Sequence, residues 1–485
     1  MLAHTNTSFP FPFANALPAK SDIRTIAFIS LAAAVLVAIG LLVNPILAFA
    51  PLALGAGGLL VAFFVRYPRV WLCLGALLNY WWISQGGGDE EITLKEYALV
   101  LFYFGGLAIW FFGMCVIQKR RVVRHWADKI LLLAIAVSLT NAGLAVLNGT
   151  PILTWVREWL LFWMILYYFP WREHFTEKRH IQALLACHAV VFLAIGGQNL
   201  YNYLKASTNM VYAYQIWASR KTLNTHIFMS ATVWTVLGGL YAAKRKSQVL
   251  MMLLAGFYGV VVVASFSRGF WLSGILALVV CLAVLDPKKL VLFSVYGIIA
   301  AVGFTLLVQL IFPDKATFIF NVLKARLLSS SRGTSDVSLL ARYYETMSIL
   351  NQLQQYFLGG NGLGSSFYAY DPIQKHFFTA TFIHNGYIFV WLKLGFFFFV
   401  SFYSFWFATM IRAYQVARQA AHLPMAKILA AACAACFTGY LFLNITSSMA
   451  EGRDGFYCLS MCCAALGCAE NLLQQKNSAA GRDDF

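Results

Sequence analysis

The chain has 485 residues, of which 60% are hydrophobic and only 11% charged, with a mean hydropathy of +0.70 and a formal net charge of +17. That balance excludes an ordinary soluble enzyme and leaves a polytopic membrane protein. In a soluble protein the excess charge would point to nucleic acid. In so apolar a chain it fits basic cytoplasmic loops facing anionic lipid, and no nucleic-acid partner is expected.

Residues 1–24 read as a cytoplasmic tail, and without a basic n-region no cleaved signal peptide is expected there. Apolar runs then recur at 25–43, 46–65, 70–85, 95–117, 129–147, 152–170, 180–203, 225–243, 249–265, 270–285, 290–312, 382–410, 425–447 and 455–472. They predict an all-α bundle of about fourteen transmembrane helices, eleven within 25–312 and three within 382–472, each near the roughly 20 residues a bilayer requires. Fourteen Trp, 23 Tyr and 41 Phe supply aromatic belts for that many membrane boundaries.

The ten cysteines lie inside apolar runs and form no disulfide framework. Cys433-Ala-Ala-Cys436 has redox-like spacing, but its alanine neighbours mark a face for close helix packing. No metal and no cofactor are expected.

Orientation follows from Lys and Arg in short loops. The block Lys119-Arg120-Arg121, with Arg124 and Lys129, is the densest. Alternation from it makes Arg66/Arg69, Arg172/Lys178/Arg179, Lys244-Arg245-Lys246, Lys288-Lys289 and Arg412/Arg418/Lys427 cytoplasmic. Both termini, including the tail 473–485, fall on the same side. Asp89-Glu90-Glu91 falls outside, either as a solvated acidic loop or as a site for a divalent cation.

Residues 313–381 break the rhythm, as a long outer loop of the kind that usually carries function. Leu340, Tyr343/Tyr344, Met347, Leu350, Leu353 and Phe357 recur at helical spacing, predicting an amphipathic helix over Ser338–Phe357. Gly359-Gly360-Asn361-Gly362-Leu363-Gly364 follows as a turn. It reads as an ordinary loop in preference to a phosphate cradle, since no strand precedes it.

Four polar positions on the expected outer side bear on chemistry. His384 and Asn385 stand at the mouth of the run 382–410, where a helix N-terminus disfavours a charged imidazole. His384 is either an interfacial anchor or a general base. Arg268, in a turn barely clear of hydrocarbon, either snorkels or lines a wet cavity. Arg220 is either a solvated loop charge or its companion. Two guanidinium forks can hold a diphosphate and offset charge on a leaving group, while His384 takes a proton from an attacking sugar hydroxyl. Arg157-Glu158 either lines the same cavity or pairs with itself. Lys393, nine residues from His384, falls on the opposite helix face and outside this site.

These residues carry a family resemblance. The chain resembles the O-antigen ligase/polymerase superfamily of bacterial inner membranes, the Wzy- and WaaL-like proteins. The matching positions are Arg220 with Asn224; Ser267-Arg268-Gly269; Arg342 with the glycine turn 359–364; and His384-Asn385-Gly386-Tyr387 with Gly395. Thr222-Leu223 stand where the family usually has glycine.

The resemblance implies a GT-C-like, metal-independent, inverting glycosyltransferase acting on the periplasmic face. His384 would be catalytic, and Arg220, Arg268 and Arg342 would hold the donor's diphosphate, supported by Asn224, Asn385 and Tyr387. The partners implied are an undecaprenyl-diphosphate-linked glycan donor, a glycan or lipid A-core acceptor and membrane lipid, with a chain-length regulator as an optional fourth. A polymerase of O-antigen or exopolysaccharide repeats is the first reading and a ligase transferring to lipid A-core or protein the second. A lipid-linked oligosaccharide flippase is the third, and it predicts internal repeats and midplane charges that the sequence lacks.

Overall fold

The computed structural model describes residues 57–84, 94–207, 225–311, 313, 316–328, 337–371 and 375–480. The chain divides at Tyr67/Pro68 into two units. In the first, the described part is helix α1, Gly57–Arg66. In the second, the apolar runs become helices α2 (Pro68–Ser84), α3 (Lys95–Ile117), α4 (Trp126–Leu147), α5 (Ile152–His174), α6 (Lys178–Ser207), α7 (Thr225–Tyr241), α8 (Arg245–Ala264), α9 (Arg268–Leu285) and α10 (Pro287–Ile311). After two helices of the long loop, α11 (Ala316–Leu328) and α12 (Val337–Leu353), come α13 (Gly386–Gln419), α14 (Pro424–Leu443) and α15 (Arg453–Ala480).

Among the described residues nine helices are long and apolar enough to cross a membrane. Run 25–43 and most of run 46–65 lie outside the described residues, as does the acidic cluster 89–91. The predicted amphipathic helix is present as α12, ending four residues earlier than expected. One element departs from an all-helical reading: β1 (Phe367–Asp371) and β2 (His376–Ala380) pair antiparallel, with Ala369 opposite Phe378. Each strand is only five residues long, and the adjacent aromatics Phe367-Tyr368 and Phe377-Phe378 give no period-2 pattern to mark it in the sequence.

Helices α14 and α15 form the centre of the bundle. In the most apolar stretch of α15, 83% of residues are buried, against 22% in that of α8. The alanine and cysteine face 430–436 of α14 is wholly buried. A Cβ on Gly439 would stand 3.1 Å from that of Ala277, so α14 and α9 pack nearly backbone to backbone.

Helix α13 is broken at Gly395, whose φ of +82° interrupts the helical run. The glycine turn 359–364 is inserted there. Phe396 N–H donates to the carbonyl of Phe357 at 3.0 Å, Asn361 N–H to that of Leu392 at 2.8 Å, and Gly362 N–H to that of Lys393 at 3.0 Å. A Cβ on Gly360 would lie 2.5 Å from the Lys393 carbonyl oxygen, and one on Gly395 would overlap the Leu358 carbonyl. A left-handed residue without Cβ is needed at both positions. The break thus ties the outer loop to the bundle, and the short segment Gly386–Leu394 ahead of it presents His384.

Candidate functional site

Five of the six backbone donors of the glycine turn 359–364 are spent within the protein. Gly360 N–H donates to Tyr356 carbonyl, Leu363 N–H to Asn141 Oδ1 (3.2 Å) and Gly364 N–H to Glu158 Oε2 (2.7 Å). Asn141 Nδ2 returns bonds to the carbonyls of Gly359 and Lys393 at 2.8 and 2.9 Å. Donors spent on the protein cannot cradle a phosphate, so the turn is a staple. Glu158 belongs to that staple, and Lys393, fully buried, donates to the Ser365 carbonyl at its far side.

His384 lies one residue before the cap of α13. Asn385 is the cap itself: its Oδ1 accepts from Tyr387 N–H at 3.1 Å and Ile388 N–H at 3.2 Å. Its oxygen is therefore committed to the helix end. Tyr387 turns inward, donating to the Leu441 carbonyl at 2.7 Å and packing on Tyr403 with ring centroids 4.9 Å apart. Of this motif, His384 has no such commitment to the helix end, and its side chain is 41% exposed.

A residue that the sequence reading missed sits against it. Glu345 of α12 accepts the backbone N–H of His384 on Oε1 and its Nδ1 on Oε2, each at 2.7 Å. Phe382 closes one flank, edge-on to the imidazole at 4.8 Å. Arg342 precedes Glu345 by three residues, so both project from nearly the same face of α12. The only sequence signal was a lone carboxylate one turn after a family-like arginine.

Arg268 opens α9 behind a strained turn. Phe266 has a φ of +50°, a left-handed value uncommon for a bulky residue. Ser267 N–H bonds Ser265 Oγ at 3.3 Å, and Trp271 Nε1 reaches back to the Val262 carbonyl at 2.9 Å, so the turn is braced from both sides. Arg220 and Asn224 lie outside the described residues.

The turn 444–448, between α14 and α15, brings the arginine and histidine segments to one end of the bundle. A Cβ on Gly269 would stand 2.5 Å from Thr446 Oγ1, and one on Gly386 would overlap the Asn444 amide. Gly386 N–H donates to the Asn444 carbonyl at 2.7 Å. Next to this turn His226 Nδ1 meets Asp454 Oδ2 at 3.1 Å, and the His226 ring lies edge-on to Phe270 at 4.9 Å. Helices α7, α9, α13 and α15 therefore all begin here, and their partly positive N-termini share one end of the bundle.

Such an arrangement can bind an anion near guanidinium groups and helix N-termini while an exposed imidazole accepts a proton. Among the described residues no three His, Cys, Asp or Glu side chains converge in a metal-like cluster.

Residues 250–403 match the family model for O-antigen ligase. The match spans Arg268, Arg342, Glu345, His384 and Gly395, and it supports the O-antigen ligase/polymerase superfamily. No curated protein matches the chain.

Proposed function

We propose that this protein is a membrane glycan transferase that moves a saccharide from a polyprenyl-diphosphate donor to a hydroxyl acceptor. The observation that carries this reading is the placement of a half-exposed histidine, His384, at the same end of the bundle as Arg268, inside the segment that matches the O-antigen ligase family. In one displacement the acceptor oxygen bonds to the anomeric carbon and its proton passes to His384. The bond from that carbon to the diphosphate oxygen breaks with its electron pair going to the diphosphate, and the anomeric centre inverts. Arg268 and Arg342, with Arg220 in the preceding segment, offset the charge on the departing group, and Asn224 has a supporting role. The donor is read as undecaprenyl-diphosphate-linked and the working face as periplasmic. The preferred acceptor is a further repeat unit, as in a polymerase, with lipid A-core as the ligase alternative.

The test is transfer by the purified, reconstituted protein supplied with polyprenyl-diphosphate-linked glycan and with either a second donor molecule or a lipid A-core acceptor. Growth of lipid-linked chains assigns the polymerase, and glycan on lipid A-core assigns the ligase. Turnover with neither acceptor at any donor concentration contradicts the proposal. Activity unchanged by a chelator is expected. Loss in chelator with recovery on adding a divalent ion would replace the metal-free chemistry.

A further inference from the structure

His384 does not stand alone, and the residue beside it comes from a different element. Glu345 gives one oxygen to the backbone N–H of His384 and the other to Nδ1, both at 2.7 Å, and its side chain is only 14% exposed. An ionised carboxylate can only accept, so Nδ1 carries the hydrogen, and in the neutral imidazole the lone pair is then on Nε2. Shielding from water strengthens both bonds. Helix α12 is itself held down, by buried Ile349 and Leu353 and by a bond from Gln352 Nε2 to the Tyr368 carbonyl at 2.8 Å.

We propose that Glu345 is the positioning residue of the transfer site, fixing the ring and the tautomer in which His384 Nε2 can take the acceptor's proton. This rests on His384 being the base. It means the site is assembled from two pieces, the outer-loop helix α12 and the first segment of broken α13. Docking of the loop is then a condition for chemistry, and Arg342 arrives with it.

A carboxamide separates this role from simple bracing. With its oxygen on the backbone N–H, Gln at this position presents an NH2 group to Nδ1, which must then accept. The hydrogen moves to Nε2, the wrong tautomer for a base, while shape and one hydrogen bond are kept. The experiment uses the full-length reconstituted protein with Glu345→Gln, Glu345→Ala, His384→Ala and the Glu345→Gln/His384→Ala double variant, all at matched folded fraction.

Expected are a loss of about 10²–10⁴-fold in kcat for Glu345→Gln with donor KM little changed, and partial recovery of Glu345→Ala by formate. The double variant should be no slower than His384→Ala alone, because residues that act as a unit do not add. Near-normal kcat in Glu345→Gln with His384→Ala inactive overturns the role of Glu345 and leaves the base in place. So do losses that multiply in the double variant. Full activity in His384→Ala overturns the base itself.

Discussion

Helix α15 runs from the end of the bundle that holds His384 to a second, buried polar cluster. Asp454 at its start and Glu470 near its end lie sixteen residues apart, or about 24 Å along the axis. At the Glu470 end, Asp128 accepts from Arg172 at 2.9 Å, Tyr168 hydroxyl at 2.9 Å and the backbone N–H groups of Arg124 and His125. Arg172 also reaches the Val122 carbonyl and stacks on Tyr168, while Arg412 grips Glu470 with two nitrogens at 2.8 and 2.5 Å. Asp128 and Arg172 are both essentially inaccessible. At the other end, the His384 ring is open to solvent and one of its nitrogens is committed to Glu345. Burial with many partners makes a structural joint, and an oriented, accessible nitrogen makes a reactive group.

The comparison is most strongly tested by breaking the joint. Asp128→Ala leaves the Arg172 charge buried and should cost about 3–5 kcal/mol of stability. Thermal unfolding should show this, while the transfer rate per folded molecule stays near normal. A rate loss without a stability loss would erase the distinction between the two ends. Gly395→Ala should cost about 1–3 kcal/mol in backbone strain, aggravated by overlap with the Leu358 carbonyl. Because the glycine turn docks at that break, proteolysis of the outer loop should accelerate and transfer should weaken with it.

Smaller effects refine the His384 end. Arg268→Lys keeps the charge and loses the fork, so donor turnover should fall about tenfold or more, equivalent to about 1.4 kcal/mol. A silent Arg268→Lys in a turnover assay would remove the guanidinium from diphosphate binding. Asn385→Ala deletes a helix cap and should cost about 1 kcal/mol of stability with little change in kcat. The side of the membrane is checked separately. A Thr379→Cys substitution on the exposed hairpin, in a background cleared of reactive cysteines, should label with an impermeant reagent from the periplasm. Labelling only from the cytoplasm would invert the topology.

The helices were legible because hydrocarbon demands long apolar runs, and each described run from 70 onward is helical. The amphipathic helix was legible from its 3.6-residue period, and His384 from its place at the mouth of a span. Three features were not. The hairpin was too short for period-2 patterning to declare itself. The break at Gly395 depends on a loop more than thirty residues upstream filling it, which no local pattern encodes. Glu345 is a single carboxylate whose meaning comes from a partner 39 residues away. Asn385 was legible as polar but not as a cap, since capping is decided by where the helix begins.

The most direct test of the account is single-turnover transfer by His384→Ala compared with Asp128→Ala, at equal folded protein and with donor binding measured separately. The account predicts a fall of about 10²–10⁴-fold in the His384→Ala rate with donor still bound, and an Asp128→Ala rate near that of the unsubstituted protein. A His384→Ala protein transferring glycan at the unsubstituted rate would contradict it.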